Sequence, residues 1–586
     1  MLKPLLLMAA CLAAPSLAAA IEYTEPVDTS TVDLSGWKKG GKALALSWVS
    51  KDRHYRQFAT PPQAKCSDTT VTAWRGERLG LEALAVCRKD AGEVRVELSD
   101  FRDAKGRTVA MPGSGAMLMR YVWTNDMRAC GHVDPDTIPA YTVADVIDLP
   151  GTVAELPARS VRPIWCTVEV PRDIEPGRYT ATLSLRKADG GKELAKIKLG
   201  IDVLLRTLPA PEDYAFYLDL WQQPYAVSRY YGVPAWSPEH LELLKPYAAL
   251  MKRAGQKPVT TILFYEPWGE QSNDKFEPMV ETVREPDGTW TFGYDVFDRY
   301  VEFMASQGID RAIECFTMVP WEMKFRYLDR ATGQYEFLEA PTSSPEYKEL
   351  WTAALKALAD HLREKGWFDK TYIYMDERSP EQMRDAIAVA KAAVPDIKMG
   401  LAGDYHKELV DVIDSYAFGR NSYLTAEEQA ARSAKGMTSL RYTCCSQPEP
   451  SQFSNNAPAD GAYLPVYAIA SGYDGYLHWS FQNWNDTPLT DTRWRMFGPG
   501  DTYFIYPDGR SSVRYERFAE GVQLSEKIRL LREAFTAAGD TAGLTALDAA
   551  LAPIICNGMS ASEPSDVIVN DLERAVDLLS RNTTVH

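Results

Sequence analysis

The chain has 586 residues, with 64 Lys+Arg against 80 Asp+Glu and a net charge of -16, which excludes the basic surface that nucleic acid or anionic lipid requires. With 45% hydrophobic and 25% charged residues it has the composition of a folded soluble protein, long enough at about 100–200 residues per domain for a sandwich and a barrel. The 15 Trp and 30 Tyr suit stacking on the apolar faces of sugars, and equally suit a large core.

The first twenty residues, MLKPLLLMAACLAAPSLAAA, combine one Lys, an apolar run and an Ala18-x-Ala20 end, which predicts a secretory signal peptide over 1–20 and a periplasmic or extracellular destination. No later run reaches the about 20 apolar residues of a spanning helix, so no membrane span is expected. Export makes disulfides possible. Cys66 with Cys87 and Cys130 with Cys166 are the expected pairs, Cys444 and Cys445 are neighbours at a strand end, and buried free thiols are the alternative. There is no CxxC and no HExxH, and seven His are spread along the chain, so neither a metal nor another cofactor is expected.

From residue 21 to 210 short alternating runs such as KALALSWVS, EVRVELSDF, IWCTVEV and GRYTATLSLRK are broken by Gly, Pro and Asp. Period two at this spacing predicts an antiparallel β-sandwich, left through the linker LPAPED, Leu208 to Asp213. Over 211–535 the period changes. Eight apolar runs read as strands, at 214–221, 259–266, 311–318, 371–377, 397–403, 413–419, 438–445 and 475–481, with amphipathic helices between several of them. The pattern predicts a (β/α)8 TIM-like barrel with its chemistry at the carboxyl ends of the strands. The intervals 267–294, with a hairpin at EPDGTW, and 322–344 are longer than a helix needs, and such loops build substrate pockets. Residues 536–586 form a helical C-terminal extension that follows the barrel.

The fourth strand ends YIYMDERSP, so Asp376 and Glu377 stand together at the mouth, where their alternative use is to cap the next helix or pair with Arg378. A retaining glycosidase commonly sets two carboxyls about 5–5.5 Å apart on different strands, and an inverting one about 6.5–9.5 Å. The seventh strand, SLRYTCC, offers no partner, and Glu449 lies further out. An adjacent pair fits substrate-assisted retention, in which a 2-acetamido oxygen is the nucleophile. Glu377 is then the general acid and base, held protonated by partial burial and a charged neighbour, and Asp376 stays ionised to orient the acetamido group and stabilise an oxazolinium ion.

The run GYDGYLHWSFQNWNDTPLTDTRW with GPGDTYFIYPDGRSSVRYERFAEGVQLSEKIRLL, the segment YTCCSQPEPSQFSNN, the YIYMDE pair, and the N-terminal TAWRGER and VRPIWCTVEVPRDIEPGRYTATL together resemble glycoside hydrolase family 123 over nearly the whole mature chain. The resemblance implies an exo-acting β-N-acetylgalactosaminidase working through an oxazolinium intermediate on glycans with terminal β-linked N-acetylgalactosamine, with Asp376 orienting and Glu377 as acid/base. One departure is that Pro450-Ser451 and Asp460 stand where a Pro-Asn pair and an acidic residue are expected.

For substrate binding the candidates are Trp479 and Trp484 as stacking rings, Asn483, Asn485 and Asp486 for hydroxyls, and Tyr442 as a donor to the acetamido oxygen. Core packing and turn formation are the alternatives for these residues. Trp268 and Trp321, after the second and third strands, line outer subsites, with Glu266, Asp404 and Tyr405 in similar places. Two other functions stay open: a β-N-acetylhexosaminidase of other epimer preference, and a non-catalytic glycan-binding protein. Retention of both carboxylates favours an enzyme.

Overall fold

The structure, a computed structural model, describes residues 21–38, 41–62, 67–128, 130–419, 421–447, 449–560 and 562–582. The expected signal peptide and Cys66 lie outside them.

Alternating apolar side chains close two sheets face to face. The first runs in the order Leu44–Val49, Arg78–Cys87, Ser160–Glu169, Gly115–Asn125, Ala140–Ile147 and Ser511–Ser512. The second is built on Asp68–Arg75, Glu193–Thr207, Gly177–Lys187 and Glu93–Leu98. Leu118, Ile164, Cys166, Leu183, Leu199 and Ile201 fill the space between them. The expected antiparallel sandwich carries one parallel pair and gains one strand from outside the N-terminal region. Asp68–Arg75 runs parallel to Glu193–Thr207, and Ser511–Ser512, far along the chain, adds to the edge of the first sheet.

All eight expected barrel strands form, as Tyr217–Leu220, Pro258–Ile262, Ala312–Phe316, Thr371–Met375, Lys398–Gly403, Ser415–Phe418, Thr438–Tyr442 and Gly475–His478. They pair in parallel in chain order, and a bridge between Leu218 and Gln256 joins first to second and closes the ring. The helices begin and end where local chemistry dictates. Ser237, Ser344 and Ser379 accept the free N–H groups of helices Pro238–Ala254, Pro345–Lys365 and Pro380–Ala393, each with Pro in the first turn, where its missing N–H is harmless. Gly255 and Gly366 end the first two in the left-handed conformation.

The two long loops do more than make separate hairpins. Glu281–Arg284 with Trp290–Gly293 and Lys324–Asp329 with Gln334–Glu339 join into one four-stranded sheet beside the barrel mouth. Helices Val513–Ala538, Thr541–Asn557 and Ser565–Asn582 follow the eighth strand. The first ties the barrel to the sandwich through buried ion pairs, Arg514 with Asp145 at 3.0 Å and Arg517 with Asp52 at 2.9 Å. Among the described residues no helix is long and apolar enough to cross a membrane.

The expected Cys130–Cys166 pair is corrected: Cys130 is joined to Cys445, 315 residues away. Cys166 faces the sandwich core, where burial pushes its thiol up to about 12, while Cys130 sits on the loop that leaves the sandwich for the barrel mouth. Cys87 and Cys444 carry free thiols.

Candidate active site

The fourth strand is apolar and buried up to Met375, and Ser379 already caps the following helix. Asp376, Glu377 and Arg378 therefore occupy the short turn between strand and helix, at the carboxyl end of the barrel. The two acids turn to different surroundings. Asp376 is 8% exposed. Burial pushes its carboxyl up to about 6, aided by the neighbouring Glu377, while the Arg378 guanidinium and a hydrogen bond from Trp321 pull it down. Arg378 Nη2 lies 3.0 Å from Asp376 Oδ1. Asp376 Oδ1 is nonetheless buried without a well-formed hydrogen bond.

Arg378 is itself fixed on three sides. Its Nε donates to the Val319 carbonyl at 2.8 Å, its Nη1 to the Glu377 carbonyl at 2.8 Å, and its guanidinium lies 3.9 Å from the Trp321 ring centre. Trp321 is 47% exposed, so one indole both holds Arg378 and remains open to a ligand.

Glu377 is exposed and reaches across the mouth, where its Oε1 accepts a hydrogen bond from the hydroxyl of Tyr442, the last residue of the seventh strand. The expected partial burial of Glu377 is thus corrected: the buried carboxyl is Asp376. Tyr442 is committed to Glu377 rather than left open toward an acetamido oxygen. Gly419 makes the approach possible, because a Cβ there would stand 3.1 Å from the Tyr442 hydroxyl oxygen.

The floor beneath the pair is aromatic. Trp221, just after the first strand, stacks on Trp268 with centroids 5.6 Å apart and meets Phe316 edge-on at 4.6 Å. Below it Asp219 and Glu314 form a buried carboxyl pair. Burial drives both carboxyls upward, Asp219 to about 8. On the eighth-strand side Trp479 is half-buried, and its Nε1 donates to Asp501 at 3.3 Å, where burial raises the carboxyl to about 7. The sandwich supplies a further wall. Its loop after Asn125 hydrogen-bonds the segment after the eighth strand, from Gly131 N to the Met496 carbonyl at 2.9 Å and from Val133 N to the Arg495 carbonyl at 2.8 Å. The Cys130–Cys445 disulfide pins that loop to the end of the seventh strand.

The structure brings Asp376, Glu377, Tyr442 and Trp321 together, with Trp479 on the opposite rim, and sets other expected residues apart. Trp484 is fully buried against Tyr230 and Tyr247 and donates to the Ile505 carbonyl at 2.8 Å. Asn483 accepts from Asn273 N at 3.0 Å, and Asn485 donates to the Asp491 carbonyl at 2.7 Å. These three brace the loop after the eighth strand instead of facing a sugar, because its many backbone groups need internal partners. Asp486 is exposed and pairs with Arg229 at 3.3 Å. Trp268 is buried in the floor rather than lining an outer subsite. Asp460 accepts from Ser451 N and Asn456 Nδ2, each at 3.0 Å, and from Ser565, so the Pro450-Ser451 departure sits in a structural knot. Glu266 faces Lys275 at 3.8 Å, Asp404 accepts from Ser422 at 3.2 Å, and Tyr405 donates to Glu428 at 2.7 Å.

Trp221 and Asp501 are absent from the expected site. Trp221 is the last residue of a predicted strand and was findable by the same rule as Asp376, while Asp501 lies in a GPGD turn whose position only the tertiary structure supplies. Among the described residues no group of three or more His, Cys, Asp or Glu side chains converges as metal ligands would.

The chain matches the catalytic domain of glycoside hydrolase 123 over residues 221–531 and the N-terminal domain of the same family over residues 48–187. No curated protein matches it. A family 123 glycoside hydrolase from Clostridium perfringens, solved in a study of glycolipid glycan hydrolysis, has the same fold at a TM-score of 0.82 and 22% identity, over 92% of this chain and 99% of that one. A Bacteroides uniformis beta-glucuronidase aligns at a TM-score of 0.29 and 10% identity over 81% of this chain and 50% of its own, too distant to bear on the site. With the catalytic-domain match spanning more than half of its length, the chain belongs to glycoside hydrolase family 123.

Proposed function

We propose that this glycoside hydrolase removes terminal β-linked N-acetylgalactosamine from glycans with retention, using the substrate's own acetamido group as nucleophile. The observation that carries the reading is the division within the pair, above all the buried Asp376 Oδ1 that has no well-formed hydrogen bond. Arg378 Nη2 stands 3.0 Å from that oxygen as a counter-charge and leaves it acceptor capacity, and an acetamido N–H is a donor of the right kind. Accepting that N–H makes the acetamido oxygen more nucleophilic. The oxygen attacks the anomeric carbon as the bond to the leaving oxygen breaks, and Glu377, exposed at the mouth, gives that oxygen its proton. The oxazolinium ion that forms is cationic, and ionised Asp376 stabilises it. Glu377 then takes a proton from water as the water opens the ring. Tyr442 holds Glu377 in place between the two steps. Trp321 and Trp479 offer rings for the pyranose.

Export accompanies this reading: the Met1–Ala20 pattern is that of a leader, and the Cys130–Cys445 bond fits an oxidising compartment. Glycolipid glycans, whose hydrolysis was the subject of the work on the Clostridium perfringens enzyme, are a natural class of substrate to try. The test compares aryl β-N-acetylgalactosaminide, aryl β-N-acetylglucosaminide and aryl β-galactoside, with wild type beside Glu377→Gln and Asp376→Asn. Turnover of the first that both substitutions strongly reduce supports the reading. Preference for the second assigns the other epimer, and efficient turnover of the third, which lacks the acetamido group, refutes substrate assistance.

A further inference from the structure

The four-stranded sheet beside the mouth carries an aromatic surface that the cleavage chemistry does not use. Its outer strand, Gln334–Glu339, reads QYEFLE, and every residue but Leu338 is exposed. Tyr335 and Phe337, two apart and so on one face, are 58% and 49% exposed. They are not isolated. Arg326 lies opposite Phe337 in the pairing register. Its guanidinium stands 4.1 Å from the Tyr265 ring centre and 4.8 Å from that of Tyr335, and Glu277 holds it by an ion pair. Phe337 meets the Tyr265 ring at 6.0 Å. The result is a rigid patch of three rings around one fixed charge pair.

The patch and the mouth are built on the same two segments, which meet where Trp321 N donates to the Pro267 carbonyl at 3.0 Å. Tyr265 stands three residues beyond the second barrel strand, Pro258–Ile262. Trp321, beneath Arg378, is five residues before Arg326, a separation of at most about 18 Å along extended chain. Rings next to fixed hydrogen-bonding groups match sugar residues, which present C–H faces to aromatics and hydroxyls to a guanidinium and a carboxylate. The strand's own Glu336 and Glu339 are exposed, and that acidity opposes an anionic membrane surface.

We propose that Tyr265, Tyr335 and Phe337, with Arg326, form a binding site for the sugar residues on the leaving-group side of the scissile bond. The proposal deepens the reading of Asp376 and Glu377 as the place where a terminal sugar is removed, and rests on it.

The test is the double variant Tyr335→Ala/Phe337→Ala, two exposed positions whose truncation leaves the core intact. It is assayed on an aryl β-N-acetylgalactosaminide and on a tetrasaccharide ending in β-N-acetylgalactosamine, both free and carried on a lipid in neutral vesicles. The expected result is unchanged turnover of the aryl glycoside and a fall of about tenfold in kcat/KM for the free tetrasaccharide, expressed in KM. Equal turnover of the free tetrasaccharide by wild type and variant overturns the proposal, as does a loss confined to the vesicle form, which assigns the patch to a membrane. Absence of turnover by wild type refutes the cleavage reading instead. Calorimetric binding of the trisaccharide that remains after cleavage then decides the patch: binding that the double variant loses supports it, and binding absent from wild type or retained by the variant overturns it.

Discussion

Asp376→Asn makes the tension between stability and catalysis measurable. Burial holds the Asp376 carboxyl at about 6 against an ordinary value of 3.8. Below about pH 4 the group is protonated whether the chain is folded or unfolded, and the site pays nothing. As pH rises from 4 to 6 the unfolded chain releases a proton that the folded protein keeps, so stability falls, and it levels off once both states are ionised. At 1.36 kcal/mol for each pH unit the gap is worth about 3 kcal/mol at pH 7.5. Asparagine has nearly the same shape and no charge, so it escapes this penalty. Part of the gain is returned because Arg378 loses its anion, although it keeps the Val319 and Glu377 carbonyls and the Trp321 face. The expected net stabilisation is about 1–3 kcal/mol at pH 7.5, vanishing near pH 4, with activity lost throughout. Unfolding temperatures of wild type and variant, measured calorimetrically from pH 4 to 8, test this. A variant no more stable than wild type at pH 7.5, or a difference equal at both ends of the range, would refute the account of Asp376.

Arg378→Met removes the charge that lowers Asp376, so the acid limb of kcat/KM, expected near pH 6 in wild type, moves up by about one unit, and Arg378→Lys restores part of the shift; a limb that stays in place contradicts the role. Trp484→Ala destabilises the fold by about 3–5 kcal/mol with KM nearly unchanged in the protein that remains folded, and a raised KM at unaltered unfolding temperature would return Trp484 to the binding site. Peptide mapping without reductant yields Cys130 linked to Cys445, and Cys130→Ser lowers stability by about 2–4 kcal/mol, readable as an earlier unfolding transition; a peptide linking Cys130 to Cys166 would overturn the observed bond.

The barrel was legible because its strands are nearly continuous apolar runs bounded by polar turns, and a parallel sheet covered on both faces demands that pattern. The Asp376–Glu377 pair was legible for the same reason, since two carboxylates at the end of such a run have one place to go, the mouth. The tryptophans were not. Trp321, Trp268 and Trp484 all follow predicted strands, yet the first is open, the second floors the mouth and the third is core. Strand position says which end of the barrel a residue occupies, and packing by distant segments such as Tyr230 and Tyr247 decides which way its ring turns. Trp123, in the sandwich, makes a backbone bridge to Asp491, across a separation no local pattern records.

Local periodicity and strand-end chemistry by themselves determined a sandwich followed by an eight-stranded barrel, and the acid pair at its mouth, because these depend on near neighbours in the chain. Which of the two acids is buried, which residue steadies the other, where Cys130 finds its partner and where the two long loops unite into a sheet were decided only by tertiary structure. Burial and electrostatics depend on every segment that arrives from elsewhere in the chain. Tyr442 against Glu377 is such an arrival from across the barrel, and Val319 with Trp321, from after the third strand, fix Arg378 beside Asp376.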